Sequence, residues 1–376
     1  MTRTLVVDLL GFTGGRGGTE TYAREITARL PALLPGTRLA ALVSAPGAAE
    51  VRSFFPGDVE TVPAVGASPS SWAVGEVFRA ERAARGLGAT ALWAPANFGP
   101  VRRGIPRAVT IHDLIYHQVP GTGRERLFRR VTAELMARSA LTADAVIAVS
   151  HATGEEVRRR LGLPADRVHV VPNGTTPPPV PAGRRTDATG RRLVLSTGNR
   201  MPHKNHVGLL EAVAVMPPAS RPDVVITGGG TDDPLAADVN RLGLQDRVQL
   251  PGWVSGAELE ELYRRADVYV CPSLLEGFGL PVLDALGRGC VVVANDIPVL
   301  REVGGDTVFY TDAEDPGALA RTIDRALASA DDQTRRAAGR AWAGRFTWDA
   351  AAAGTAAVLD RLLDGRAGTG PEEHRP

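Results

Sequence analysis

What most constrains this chain is a twice-repeated alternation of short apolar runs with longer helical ones, broken once by a proline cluster. Parallel α/β domains need that pattern, because each strand must return over the sheet through a helix before the next can pair. In the first half, strands are expected at residues 4–10, 38–43, 89–93, 108–111, 145–149 and 168–171, and helices at 19–34, 71–86, 124–141 and 152–161. Pro177, Pro178, Pro179 and Pro181 then fall within five residues, followed by an arginine-rich stretch. Such a cluster suits neither a central strand nor a helix, so it reads as an interdomain linker. Beyond it, strands are expected at 193–197, 224–227, 248–250, 268–271, 290–294 and 308–310, with helices at 206–215, 257–265, 281–287, 316–330 and 348–364. The expected fold class is therefore α/β in two similar halves with a cleft between them. The boundaries are a first domain over 1–174, a linker over 175–191, a second domain over 192–345, a closing helix over 346–365 and a disordered polar tail over 366–376. In sheets of this kind, ligands bind beyond the carboxyl ends of the strands.

Composition excludes several classes. A net charge of +1 on 376 residues gives no polyanion footprint, so no nucleic-acid partner is expected. No run approaches the ~20 apolar residues of a membrane span. The opening Met-Thr-Arg leads directly into the first strand, with no cleavage site after it. Cys271 and Cys290 each sit inside an apolar run, as reduced core thiols do. A cytoplasmic enzyme fits these features. Of 43 basic residues a single one, Lys204, is lysine. Either it survived by chance, or that position wants a compact ammonium rather than a planar fork.

Four segments can carry chemistry. In the first, strand 268–271 is followed by Glu276, Gly277, Phe278, Gly279 and Leu280, with Pro281 opening a helix and Asp284 one turn inside it. Proline costs no hydrogen bond at a first helical position, so free N–H groups and the positive end of the helix dipole would face a ligand. Structural turn and ligand loop remain alternatives for the glycines alone. In the second, strand 193–197 leads to Arg200 and Lys204, four residues apart. They are either a solvated pair or a diphosphate site. In the third, the first strand runs into a glycine-rich stretch over 11–18 that includes Gly17 and Gly18, and glycine lets backbone approach a ligand closely. In the fourth, a strand delivers His112 and Asp113 to its carboxyl end.

Together these segments resemble the large retaining GT-B group known as glycosyltransferase family four, over nearly the whole chain. The matching residues are Glu276, Gly277-Phe278-Gly279 and Asp284, flanked by Val170 to Gly174, Leu250 to Val254 and Tyr263 to Ser273. The resemblance implies two Rossmann-like domains facing a cleft, with the final helix crossing back to the first domain. It implies that Glu276 contacts the transferred sugar, and that the 277–280 backbone meets sugar hydroxyls and phosphates. Arg200, Lys204, Gly17 and Gly18 would hold the diphosphate, His112 would lie near the donor sugar, and the backbone around Val254 would frame the base. The second acidic position, which holds the ribose in the family, is Asp284 here where the family has Glu, one methylene longer.

The implied activity is retaining transfer of a hexosyl group from a GDP-, UDP- or dTDP-sugar to a carbohydrate, lipid-linked or small-molecule acceptor. A segment around His112 resembling mannosyltransferase-like branches favours a GDP-mannose-type donor. No cofactor is expected. No metal is expected either, since no Asp-x-Asp triplet is present. Rival readings are an NAD(P)-dependent dehydrogenase or epimerase, a pyridoxal-phosphate phosphorylase and a non-catalytic nucleotide-sugar-binding subunit. Gly11, Gly14 and Gly17 have a spacing that dinucleotide enzymes share, but the second strand ends in Ser44 with no acid for a ribose. The arginine-rich stretch 124–130 is either a solvated helix face or a peripheral contact with an anionic membrane.

Overall fold

In the computed structural model the described residues are 3–12, 14, 17–63, 65–66, 75–118, 123–176 and 191–365. The chain forms two compact units, one of residues 1–174 with 347–376 and the other of residues 175–346. The proline cluster and the tail beyond residue 365 lie outside the described residues, as does the start of the helix expected at 71–86.

The first unit is built on a seven-stranded parallel sheet in the order β3-β2-β1-β4-β5-β6-β7. Its strands are β1 (Arg3–Leu9), β2 (Thr37–Ser44), β3 (Asp58–Val62), β4 (Ala91–Ala94), β5 (Arg107–Ile111), β6 (Ala145–Ala148) and β7 (Val168–Val170). Strands β1, β4, β5 and β6 are almost wholly buried, the near-continuous apolar reading of strands covered on both faces. Sequence periodicity misses β3, because Asp58 and Glu60 on an edge strand break the apolar run.

The closing helix, Trp348–Leu363, belongs to this unit. It buries Trp348, Ala351, Ala352, Thr355, Ala356, Leu359, Leu362 and Leu363, spaced to line one face. That face meets helix Gly18–Leu33, where Tyr22 Oη lies 3.3 Å from both Thr355 Oγ1 and Thr110 Oγ1. Gly174 lies against the backbone of Thr347 and Trp348 so closely that a Cβ would meet Trp348 N at 2.2 Å. Only glycine fits there, so the end of the first unit's leading segment and the start of its last helix are locked together.

The second unit holds a six-stranded parallel sheet in the order β10-β9-β8-β11-β12-β13. The strands are β8 (Leu193–Thr197), β9 (Asp223–Thr227), β10 (Val248–Gly252), β11 (Val268–Cys271), β12 (Val291–Asn295) and β13 (Phe309–Thr311). The chain winds outward from β8 in one direction, then returns to β11 and winds in the other. The reversal between β8 and β11 is a topological switch point, where loops on either side diverge and leave room for a ligand. In the first unit the same reversal falls between β1 and β4. Short helices at Ala48–Phe54, Leu235–Arg241 and Pro298–Gly304, and the longer Gln333–Ala343, went unpredicted. Arginines and small residues dilute their apolar period.

Candidate active site

The two strands flanking the second unit's switch point each deliver one charged side chain. After β8 the chain turns through a 3₁₀ segment, Pro202–Lys204, and Asn205 at φ 52° starts helix His206–Val215. After β11 it runs to Glu276 and through Gly279, at φ +100°, into helix Leu280–Gly287. A backbone bond from Leu274 N to His203 O, 2.7 Å, ties the two loops. Lys204 Nζ thereby donates to Glu276 Oε1 at 2.7 Å. Their side chains keep 17% and 10% of their surface exposed, so the pair is screened from bulk water without being sealed. The Cys271 thiol lies 4.0 Å from Glu276 Oε1 and is pushed up to about 11 by burial and then by that carboxylate. It is a neutral wall of the site, as the reading of a core thiol anticipated.

Arg200 differs from its expected partner Lys204. Its guanidinium turns inward, with Nε and Nη2 on the Asp233 carboxylate, Nη1 on the carbonyls of Gly198 and Thr227, and Nη2 also on that of Ile226. All five N–H donors are committed. Spacing alone treated Arg200 and Lys204 as two free cations; the folded turn commits Arg200 to bracing the loops after β8 and β9. Asp233, which no motif marked, is held below its usual range: burial would raise it, but the bonds and charge of Arg200 prevail. His206 lies under both cations, and burial followed by their charges lowers it to about 3, leaving a neutral ring.

Asp284 lies one turn into helix Leu280–Gly287. Its Oδ1 accepts from Thr175 Oγ1 at 2.7 Å and from Arg288 Nη1 at 3.3 Å. Thr175 sits just outside any motif, and only the fold brings it to Asp284. Gly277, Phe278 and Gly279 form the link between Glu276 and that helix, and Phe278 is buried edge-on to Phe346, 6.1 Å between centroids. Val254 follows β10, at the same carboxyl edge of the sheet, beside an exposed Trp253.

In the first unit, Gly17 is the N-cap of helix Gly18–Leu33, and among the described residues a Cβ on Gly17 would meet nothing within 4 Å. His112 follows β5, its Nε2 2.7 Å from the Pro95 carbonyl and its ring edge-on to Tyr22 at 4.9 Å. A carbonyl only accepts, so Nε2 carries the proton and Nδ1 is the acceptor. Burial lowers His112 to about 4, against the pull of that carbonyl. It is therefore a neutral hydrogen-bonding group at physiological pH.

Two family profiles together cover most of the chain. "Glycosyltransferase Family 4" matches residues 16–177 and "Glycosyl transferases group 1" matches residues 184–341. Among similar proteins, D-inositol 3-phosphate glycosyltransferase of Xylanimonas cellulosilytica is 36% identical over 58% of this chain and 56% of its own length. O-antigen chain mannosyltransferase B of Escherichia coli is 30% identical over 65% of this chain and 68% of its own. The chain thus spans little more than half of the first relative. In solved structures, sucrose-phosphate synthase from Thermosynechococcus elongatus superposes with a TM-score of 0.75 at 19% identity, covering 96% of this chain and 100% of that one. Anabaena HepE, solved with UDP-glucose, gives 0.68 at 20% identity over 95% and 99%. These two likenesses establish the fold, GT-B. Matched in both halves by its family's profiles, the chain belongs to the family 4, group 1 glycosyltransferases.

Proposed function

We propose that this protein is a retaining, metal-independent hexosyltransferase that uses a nucleotide-sugar, with GDP-mannose as the favoured donor. The observation that carries this reading is the Lys204–Glu276 pair at the switch point, beside the N-terminus of helix Leu280–Gly287. A cation and the positive end of that helix suit a diphosphate whose charge grows as it leaves, and stabilising that charge by preorganised groups needs no ion. Glu276 then meets the transferred sugar, Asp284 the ribose, and the Val254 backbone the base. Arg200 serves the diphosphate indirectly, by fixing the turn that aims Lys204. Gly17 and Gly18 add amides, and His112 offers a neutral hydrogen bond to the sugar.

Transfer proceeds on one face. The acceptor oxygen bonds to the anomeric carbon as the bond to the phosphate oxygen breaks, and the acceptor's proton passes to that departing oxygen. Support for the sugar comes from relatives named for mannosyl transfer, among them O-antigen mannosyltransferases and an MMP alpha-(1->4)-mannosyltransferase. Support for a nucleotide comes from a structural neighbour solved with UDP and UDP-glucose.

Thermal melting with GDP, UDP, dTDP and ADP, without metal, tests the reading, since a ligand of the folded state raises the midpoint. GDP is expected to give the largest shift. A shift with NAD(P) alone would overturn the proposal.

We also place the enzyme in the cytoplasm, in peripheral contact with membrane. On helix Gly123–Thr142, Leu127, Phe128 and Val131 are exposed, an apolar stripe with Arg126 and Arg130 along one side. Among the described residues, no helix is long and apolar enough to cross a membrane. Salt-sensitive cosedimentation with anionic liposomes, lost in Phe128→Glu, is the expected result; equal recovery with neutral liposomes would contradict it.

A further inference from the structure

Arg288 caps the C-terminal end of helix Leu280–Gly287, one turn after Asp284, so the two side chains share a face. The proposed transfer gives it no role, yet its guanidinium is fully engaged. Nη1 donates to Asp284 Oδ1 at 3.3 Å and to the Asp284 carbonyl at 3.1 Å. Nε donates to Glu260 Oε1 and Oε2 at 3.0 and 2.8 Å, and Nη2 also bonds Oε1. Its central carbon Cζ lies over the Tyr263 ring, 5.0 Å from the centroid. The Arg288 side chain is 12% exposed, against 48% for Glu260.

Glu260 and Tyr263 both belong to helix Gly256–Arg265, which opens directly after Val254 through a capping box of Ser255 and Glu258. Arg288 thus ties the helix that follows the base-framing segment to the carboxylate assigned to the ribose. Thr175 Oγ1 donates to the same oxygen of Asp284 at 2.7 Å, so both side-chain bonds converge on Oδ1. A carboxylate oxygen accepts about two hydrogen bonds, and Oδ1 has both. Among the described residues nothing bonds Oδ2, and the side chain keeps 34% of its surface exposed. Burial raises the Asp284 carboxyl, and the Arg288 charge is the foremost influence opposing it. A carboxylate anchored by one oxygen, with the other open, suits a hydroxyl donor on a ligand.

We propose that Arg288 is a positioning residue: braced by Glu260 and Tyr263, it pins Asp284 Oδ1 so that Oδ2 accepts from a ribose hydroxyl of the donor. This rests on the reading of Asp284 as the ribose contact. Arginine is needed rather than lysine, because only a planar fork serves Glu260, Asp284 and the Tyr263 face together.

The test compares GDP, UDP and ADP with their 2′,3′-dideoxy forms by titration calorimetry on the whole chain. The wild type should prefer the ribose form of the nucleotide it binds by roughly tenfold or more. Arg288→Met keeps a long stem against Tyr263, and there the preference should fall below about threefold while affinity for the dideoxy form holds. Arg288→Lys should restore less than half of the lost preference, since an ammonium cannot span both carboxylates. A role confined to stability would weaken ribose and dideoxy forms alike, and that result overturns the proposal. Should Arg288→Met fail to fold, Glu260→Gln decides, because Glu260 is exposed. It should lower the preference by about threefold through the loosened brace, and an unchanged preference refutes the proposal. A wild type that binds a nucleotide without preferring ribose removes Asp284 from the ribose and the proposal with it, leaving the transferase reading intact. A wild type that binds none of the three overturns the donor reading as well.

Discussion

Lys204 Nζ donates to Glu276 Oε1 across the junction of β8 and β11, 2.7 Å apart, from loops 72 residues distant in sequence. The contact couples the chain's only lysine to its motif carboxylate. A compact ammonium suits it, because a guanidinium would extend farther and demand a planar partner.

Lys204→Ala is expected to lower the transfer rate by roughly 100-fold, the scale of losing one preorganised donor to a developing charge. Lys204→Arg keeps the charge and should still lose about tenfold, since a misplaced group forfeits orientation. Single-turnover rates with melting curves alongside check both. Full activity in Lys204→Ala with unchanged melting would remove Lys204 from the leaving group.

Replacing Arg200 should act on stability first. Its side chain and that of Asp233 are 9% and 6% exposed, so Arg200→Ala strands a buried carboxylate at a cost of about 3–5 kcal/mol. Arg200→Lys should rescue little, because an ammonium cannot reach three carbonyls and a carboxylate together. A melting midpoint unchanged in Arg200→Ala would show that the bracing is dispensable.

For Asp284, the methylene that the family's Glu would add is the question. Asp284→Ala is expected to weaken nucleotide binding by roughly 10–100-fold, the usual loss for a hydrogen bond to a charged group. Asp284→Glu is expected to hold affinity within about threefold if the ribose sits where the family places it. Titration calorimetry with the nucleotide found by melting separates the two.

Acid should destabilise the fold through its histidines before the carboxylates matter. His112 and His206 titrate near 4 and 3 in the folded chain but near 6.5 when unfolded. Between those values the unfolded chain binds more protons, so stability is full above about pH 6.5 and falls as pH drops toward the folded values. From pH 6.5 to 5 the melting midpoint of His206→Gln should fall less steeply than that of the wild type. Equal slopes would mean that His206 is not kept neutral.

Transfer should proceed at full rate in excess chelator. Strict dependence on an added divalent ion would contradict charge stabilisation by Lys204 and backbone N–H groups.

Much of this was written in the sequence. Apolar period and turn residues are local properties, so β8 and β11 begin and end where the pattern places them, and Pro281 marks the start of its helix within a residue. The family was legible because Glu276, Gly277 and Gly279 and their flanks form one contiguous string. Edge strand β3 was invisible because solvent exposure, rather than burial, chose Asp58 and Glu60.

What only the tertiary structure decided is which polar groups meet. Arg200 and Lys204 look equivalent four residues apart, yet one is turned onto Asp233 and three carbonyls while the other reaches Glu276. Thr175 joins Asp284 across 109 residues with no motif to announce it. Hydrogen bonds and charge pairs depend on distance in space, and a chain's local pattern determines its elements without stating which of their ends will be neighbours.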